Sequence, residues 1–242
     1  MHRFNQRYLL IISVFTTVLL LAGSAQAQAQ YGNRAGFFIG LNFANQGDDM
    51  EMMGQMLADE LEMDLGGTWT SSKNSNMGLG LGGFYTIQTS PTFGVQFEGQ
   101  YIRRGSKIDL KGTDGVSTIT LETEFQISYM EFPILARFSP NPEATFRPVI
   151  MLGPVIGFKT GADLKVSFEG ESESTSMSDQ YKTTAFGLLG SLGFSAQVGK
   201  TSFLSVQARY YKGLTNPIED PELVAKSQDF GIFVGMEFLL NN

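Results

Sequence analysis

The 242-residue sequence predicts an all-β chain: an eight-stranded antiparallel up-and-down transmembrane β-barrel that follows a cleaved signal peptide. Three observations predict it. Period-two apolar segments recur between turn signals along the chain. The connections between them alternate between short and long. Within a segment, one parity is apolar while the other collects glycines and charges. A composition with only 17% charged residues, 12% aromatics and 28 Gly fits that picture better than it fits an ordinary soluble domain.

The N-terminus comes first. Arg3 and Arg7 form a basic start, an uncharged apolar-rich run covers Tyr8 to Ala22, and the small-x-small patterns Ala25-Gln26-Ala27 and Ala27-Gln28-Ala29 follow. This is the layout of a signal peptide over residues 1–27, cut at 27–29, with a barrel domain at 30–242. The run is shorter than the roughly 20 residues of a spanning helix. Loss of Arg3 and Arg7 from the 17 basic residues leaves 15 against 24 acidic ones, a net of −9. That balance argues against nucleic acid as a partner.

Eight segments then read as strands: Ala35–Asn45, Asn76–Gln88, Phe93–Asp109, Thr118–Phe138, Phe146–Gly161, Thr183–Val198, Ser202–Lys212 and Gln228–Leu240. Thr89–Thr92, Ser139–Thr145 and Gly199–Thr201 are tight turns; 46–75, 110–117, 162–182 and 213–227 are long loops. In outer-membrane barrels the short turns face the periplasm and the long loops face outside.

In the third segment Phe93, Val95, Phe97 and Tyr101 oppose Gln96, Glu98 and Gln100. In the last, Phe230, Ile232, Val234, Met236, Phe238 and Leu240 oppose Asp229, Gly231, Gly235 and Glu237. Two features turn the apolar face toward lipid. The polar face carries Gly78, Gly80, Gly82, Gly153, Gly187, Gly193, Gly231 and Gly235, which weaken a solvated strand but suit a crowded lumen. The apolar face carries Phe93, Tyr101, Phe138, Phe146, Tyr210 and Phe238 near strand ends, where interfacial girdles lie. A soluble secreted ligand-binding barrel, the alternative, would reverse the faces.

The lumen then holds Glu98, Glu131 and Glu237 with Arg137, Arg147 and Arg209. Buried charges persist when paired and hydrogen-bonded, and eight strands leave an interior that side chains fill. The expectation is a plugged, ion-paired lumen in a monomeric barrel; a narrow channel or transporter for small solutes is the alternative.

The run YMEFPILARF places Tyr129, Glu131, Pro133 and Leu135 on one parity, and Arg147-Pro148 with Gly153-Pro154 opens the next segment. This arrangement resembles the PorT-like outer-membrane β-barrel family. The resemblance implies an integral barrel in the outer membrane of a Gram-negative cell, with envelope or secretion-apparatus proteins as partners beside the lipid. One departure is the chain end, Phe238-Leu-Leu-Asn-Asn242, where many such barrels end in an aromatic residue. From the residues alone, Pro133 predicts a lost ladder bond with a bulge or kink.

Catalysis is not expected. After export the chain has no His and no Cys, so Ser–His–Asp and Cys–His arrangements and His- or Cys-based zinc sites are excluded, and no cofactor or metal is implied. The first long loop carries Met52, Met53, Met56, Leu57 and Leu61 at helical spacing with acids opposite. Either this helix binds a partner through adaptable methionines or it folds over the barrel mouth. The Ser-rich acidic stretch Glu169–Asp179 predicts a mobile external loop.

Overall fold

The computed structural model describes residues 32–46, 49–113, 118–142, 144–168, 171–177, 181–216 and 226–240. The expected signal peptide at 1–27 lies outside the described residues. The elements run β1 (Arg34–Gln46), α1 (Asp49–Leu65), β2 (Thr68–Gln88), β3 (Phe93–Thr113), β4 (Thr118–Phe138), β5 (Phe146–Phe168), β6 (Glu171–Ser176), β7 (Thr184–Gln197), β8 (Ser202–Gly213) and β9 (Ser227–Leu239). The sheet order is β4-β3-β2-β1-β9-β8-β7-β5-β6, and a further β4–β5 pairing closes eight strands into a ring. The ninth strand, β6, pairs only with the far end of β5. Each strand of the ring pairs antiparallel with its neighbours, and β1 meets β9 from Arg34↔Leu239 to Gln46↔Ser227. Closure removes the unpaired edges that lipid cannot satisfy.

The faces fall as expected. Phe37, Ile39, Leu41 and Phe43 of β1 and Phe230, Ile232 and Phe238 of β9 are exposed on the outside, whereas Glu98, Glu131, Arg137, Arg209 and Glu237 are buried within. This rules out the inverted faces of a soluble barrel. At the short-turn end, outward rings pair up: Phe93 with Phe138 at 4.7 Å, Phe146 with Phe194 at 4.4 Å and Phe37 with Phe238 at 6.2 Å between centroids. They form the aromatic girdle. The glycines of the polar face make room for rings inside. A methyl group on Gly40 would lie 2.6 Å from the Phe233 ring, and one on Gly80 at the same distance from it. Phe38 and Phe233 meet edge to face at 5.8 Å. The lumen is therefore mixed, with aromatic rings between its charges.

Several expected boundaries are corrected. The loop expected at 46–75 contains α1 and the first eight residues of β2; that at 110–117 begins with four residues of β3; that at 162–182 contains the end of β5 and all of β6. The Ser-rich stretch is ordered between Glu171 and Ser176, paired with Asp163–Phe168. The physical reason is an inversion of the two faces. Along β3, outward positions change from Phe93, Val95, Phe97 and Tyr101 to Arg103, Lys107, Asp109 and Lys111, while inward positions change from Gln96, Glu98 and Gln100 to Ile108 and Leu110. Along β4, outward Met130 and Phe132 give way, toward the long-loop end, to Gln126, Glu124 and Glu122. The strands leave the bilayer near Tyr101 and Ser128 and continue as a sheet in water, polar outside and apolar inside.

That inner apolar face is covered by α1. Met53, Leu57, Ala58 and Leu61 pack with Ile108, Leu110, Phe125, Leu121, Leu164 and Trp69. The helix stops at Gly66 and Gly67, both at positive φ, with the Gly66 N–H donating to the Glu62 carbonyl. Among the described residues no helix is long and apolar enough to cross a membrane, which says nothing of crossing by strands.

Pro133 brings a further correction. It pairs in register with Val155, and the irregularity of the β4–β5 ladder falls instead between Ser128 and Tyr129. No bulge is inserted at Pro133, but on its other side the β3–β4 pairing passes from Phe97↔Ile134 to Gln100↔Glu131 without it, the ladder gap expected of a residue that has no N–H to donate in a ring where both neighbours are strands.

Candidate functional site: the charged lumen and its outer cap

All six expected lumen residues are buried, and five join one continuous network. At the short-turn end Glu237 accepts hydrogen bonds from Arg137 Nη2 at 2.9 Å and Arg34 Nη1 at 3.2 Å. Arg137 Nη1 also donates to Gln96 Oε1 at 2.9 Å, and Gln96 Nε2 donates to Glu98 Oε1 at 2.6 Å. Glu98 takes Arg209 on both oxygens, at 2.8 and 3.1 Å. Arg209 donates to Gln100, and Gln100 donates to Glu131 at 2.8 Å. Glu131 pairs with Arg104 at 2.8 Å, and Arg104 pairs with Asp229 toward the long-loop end. The chain of contacts thus crosses the barrel from Arg34 to Asp229.

Strand alternation explains the alignment. Gln96, Glu98, Gln100 and Arg104 share the inward parity of β3; Glu131 and Arg137 share that of β4; Arg209 and Glu237 come from β8 and β9. Rings flank the cations. Arg209 lies 4.2 Å from the Phe38 centroid, Arg104 lies 3.4 Å from Tyr211, and both Arg34 and Arg147 lie 4.5 Å from Phe203. These contacts add cation–π attraction where water is excluded.

Arg147 is inside as well, its Nε donating to the Ala144 carbonyl at 3.0 Å. It stands at the start of β5, next to the tight β4–β5 connection. Three participants were absent from the sequence expectation. Arg34 stands one residue before the expected first strand. Arg104 follows the parity of Gln96, Glu98 and Gln100, but Ile102 interrupts the polar run. Asp229 lies on the polar parity of the last strand, where the sequence points to no partner for it. Their parity is the signal that could have found them. The expected three acids against three bases become four against five among the described residues.

Two small cavities lie among these residues. A cavity among Asn42, Gln100, Arg104, Arg209, Tyr211 and Asp229 measures about 10 Å³, and one beneath Tyr129, Ala185 and Thr215 also about 10 Å³. Each is the size of one water site. Above them Tyr181 packs into the cluster of Phe38, Phe84, Ile102, Tyr129 and Phe233, while Lys159 Nζ donates to the Tyr181 carbonyl. The motif residues Tyr129, Glu131, Pro133 and Leu135 all point inward and are buried; Tyr129 belongs to the upper cluster, while Leu135 packs with Val149, Met151 and Leu189.

The methionine helix divides into two faces. Met53, Leu57 and Leu61 pack inward, whereas Met52 and Met56 are 54% and 56% exposed. The five residues expected to form one partner-binding surface therefore do not share a face. No group of acidic or His residues suited to holding a metal occurs among the described residues.

The family model of the outer membrane protein β-barrel domain matches residues 24–219. No curated protein matches the chain. Among solved structures, the chain is similar to the outer membrane protein OprG from Pseudomonas aeruginosa, at 15% identity, a TM-score of 0.45, and coverage of 90% of this chain and 100% of that one. It is similar to Neisserial surface protein A at 14% identity and a TM-score of 0.46, covering 87% and 98%. It is similar to Ail, the attachment invasion locus protein of Yersinia pestis, at 15% identity and a TM-score of 0.41, covering 86% and 100%. All three TM-scores lie below 0.5, so the family match carries the assignment.

Proposed function

Since the chain belongs to the outer membrane β-barrel protein family and is an integral protein of that membrane, we propose that its barrel is a closed anchor that carries a structured external domain, and that its role is exercised by that domain through a partner. The single observation that carries this reading is the ion-paired lumen, continuous from Arg34 to Asp229, with two cavities of only about 10 Å³ each beside Arg104 toward the long-loop end. A solute path would need those buried pairs to break, and each broken pair leaves an uncompensated charge. The five-strand extension of β2 to β6 with α1 is the part offered to the outside.

The motif at Tyr129, Glu131, Pro133 and Leu135 supports placing the chain in the PorT-like branch, and with it envelope or secretion-apparatus proteins as the class of partner. No catalytic role is proposed.

Planar-bilayer recording of the reconstituted protein tests the closed lumen. Brief noise without steady steps is the expected trace. Reproducible large unitary conductance would replace the anchor with a channel.

A further inference from the structure

The β2–β3 ladder is interrupted where the strands leave the bilayer. Pairing runs to Ser75↔Ser106 on the outer side and resumes at Gly80↔Ile102, so four residues of β2 face three of β3. Such an extra residue leaves part of the ladder unpaired and bends the strand. Here it accompanies a cavity in the wall of about 220 Å³, lined by Leu41, Asn76, Met77, Leu79, Arg103 and Gln126, together with Gly78 and buried Arg104.

The lining changes character across the wall. Leu41, Met77 and Leu79 are outward-facing and exposed, within the lipid-facing belt. Arg103 and Gln126 are outward residues at the first polar level above it. Asn76 and Arg104 close the inner side, and the Nε–H of Arg104, almost fully buried, has no hydrogen-bond acceptor among the described residues. Arg103 donates its Nε to the Tyr101 hydroxyl at 3.3 Å, and no carboxylate of the described residues lies within ion-pair distance of it. Nearby cations are otherwise spoken for: Lys107 pairs with Asp109 and Glu122.

We propose that this wall cavity binds an anionic membrane lipid, with the upper acyl carbons against Leu41, Met77 and Leu79 and the phosphate headgroup at Arg103. The depth selects the occupant, because a cavity whose outer rim is the lipid-facing belt opens to what the membrane contains. The charge selects the headgroup, since one unpaired interfacial cation favours anionic over zwitterionic lipid by about fivefold. The site is independent of whether the lumen conducts.

Native mass spectrometry of the detergent-solubilised full chain tests it, with phosphatidylglycerol, phosphatidylcholine of the same acyl chains, and lipid A titrated separately. Phosphatidylglycerol or lipid A is expected to bind about fivefold more tightly than phosphatidylcholine. Which of the two binds assigns the source as glycerophospholipid or lipopolysaccharide, and either result supports the site. Arg103→Ala should abolish the preference, Met77→Trp should reduce binding by filling the apolar part, and Lys111→Ala, above the membrane, should change neither. Heat-modifiable gel migration checks that each variant is folded, and the preference of the unaltered chain stands if one is not. Equal affinity for all three lipids, or a loss with Lys111→Ala as large as with Arg103→Ala, overturns the proposal.

Discussion

The pair Glu98–Arg209 is the place to test whether the lumen is a set of buried charges held by mutual compensation. The acids differ in their cations. Glu237 has two, Arg34 and Arg137; Glu131 and Asp229 share Arg104; Glu98 has Arg209 alone. Arg209→Leu would therefore leave Glu98 with the Gln96 amide, a neutral donor at 2.6 Å. Removing one partner of a buried pair costs about 3–5 kcal/mol. The cation contacts with Phe38 and Phe233 are lost as well, but leucine fills much of the space between the rings. The double variant Glu98→Leu/Arg209→Leu removes both charges and should return to within about 1–2 kcal/mol of the starting protein, because apolar replacement of a whole pair is close to neutral. Arg137→Leu should cost less than Arg209→Leu, since Arg34 still faces Glu237. The assay is reversible unfolding in lipid vesicles followed by circular dichroism and gel mobility. An unchanged midpoint for Arg209→Leu would refute the compensation argument, as would a double variant that loses the sum of the two singles.

Other consequences follow from the outer sheet and the packed lumen. Leu57→Asp places a charge against Ile108, Leu110 and Phe125 and should free α1 at a local cost of about 1–3 kcal/mol, seen as a red shift of the single tryptophan, Trp69, and as proteolysis near the helix; Met52→Asp should change neither. Gly40→Ala puts a methyl 2.3 Å from the Ile232 carbonyl oxygen and should destabilise the barrel by about 1–3 kcal/mol in the same unfolding assay. The Lys107 ammonium is held above its ordinary value, first by its hydrogen bond to Glu122 and then by Asp109. A raised cation stabilises fully below its unfolded value and loses the contribution as pH rises through the folded one. The difference in stability between the natural chain and Lys107→Met, under about 1 kcal/mol for so exposed a pair, should therefore persist at pH 8 and be lost only as pH rises through the raised value of the folded Lys107.

The barrel was legible because its signal is repeated. Eight alternating stretches, each with one apolar parity, leave few other ways to bury polar backbone. The lumen acids and arginines followed from the same parity. The outer sheet was not legible as sheet, because the pattern does not stop at the membrane but reverses. A residue such as Ile108 or Lys107 breaks the alternation set by Phe97 and Glu98 only if one solvent is assumed for the whole strand. The helix spacing of Met53, Leu57 and Leu61 was visible, yet Met52 and Met56 form a second apolar stripe about 100° away, and only the inner face of the outer sheet decides which stripe is covered.

What the sequence determined by itself is the strand count of the ring, the face each strand turns to lipid, and the residue types that fill the interior. These are local properties of alternation and composition. The tertiary structure decided which charge meets which: Arg34 and Glu237 lie 203 positions apart in the chain and Arg209 and Glu98 lie 111 apart. It decided the interruption of the β2–β3 ladder and the cavity beside Arg103. Partners, register and voids depend on how strands are placed against one another when the ring closes, and no single strand carries that information.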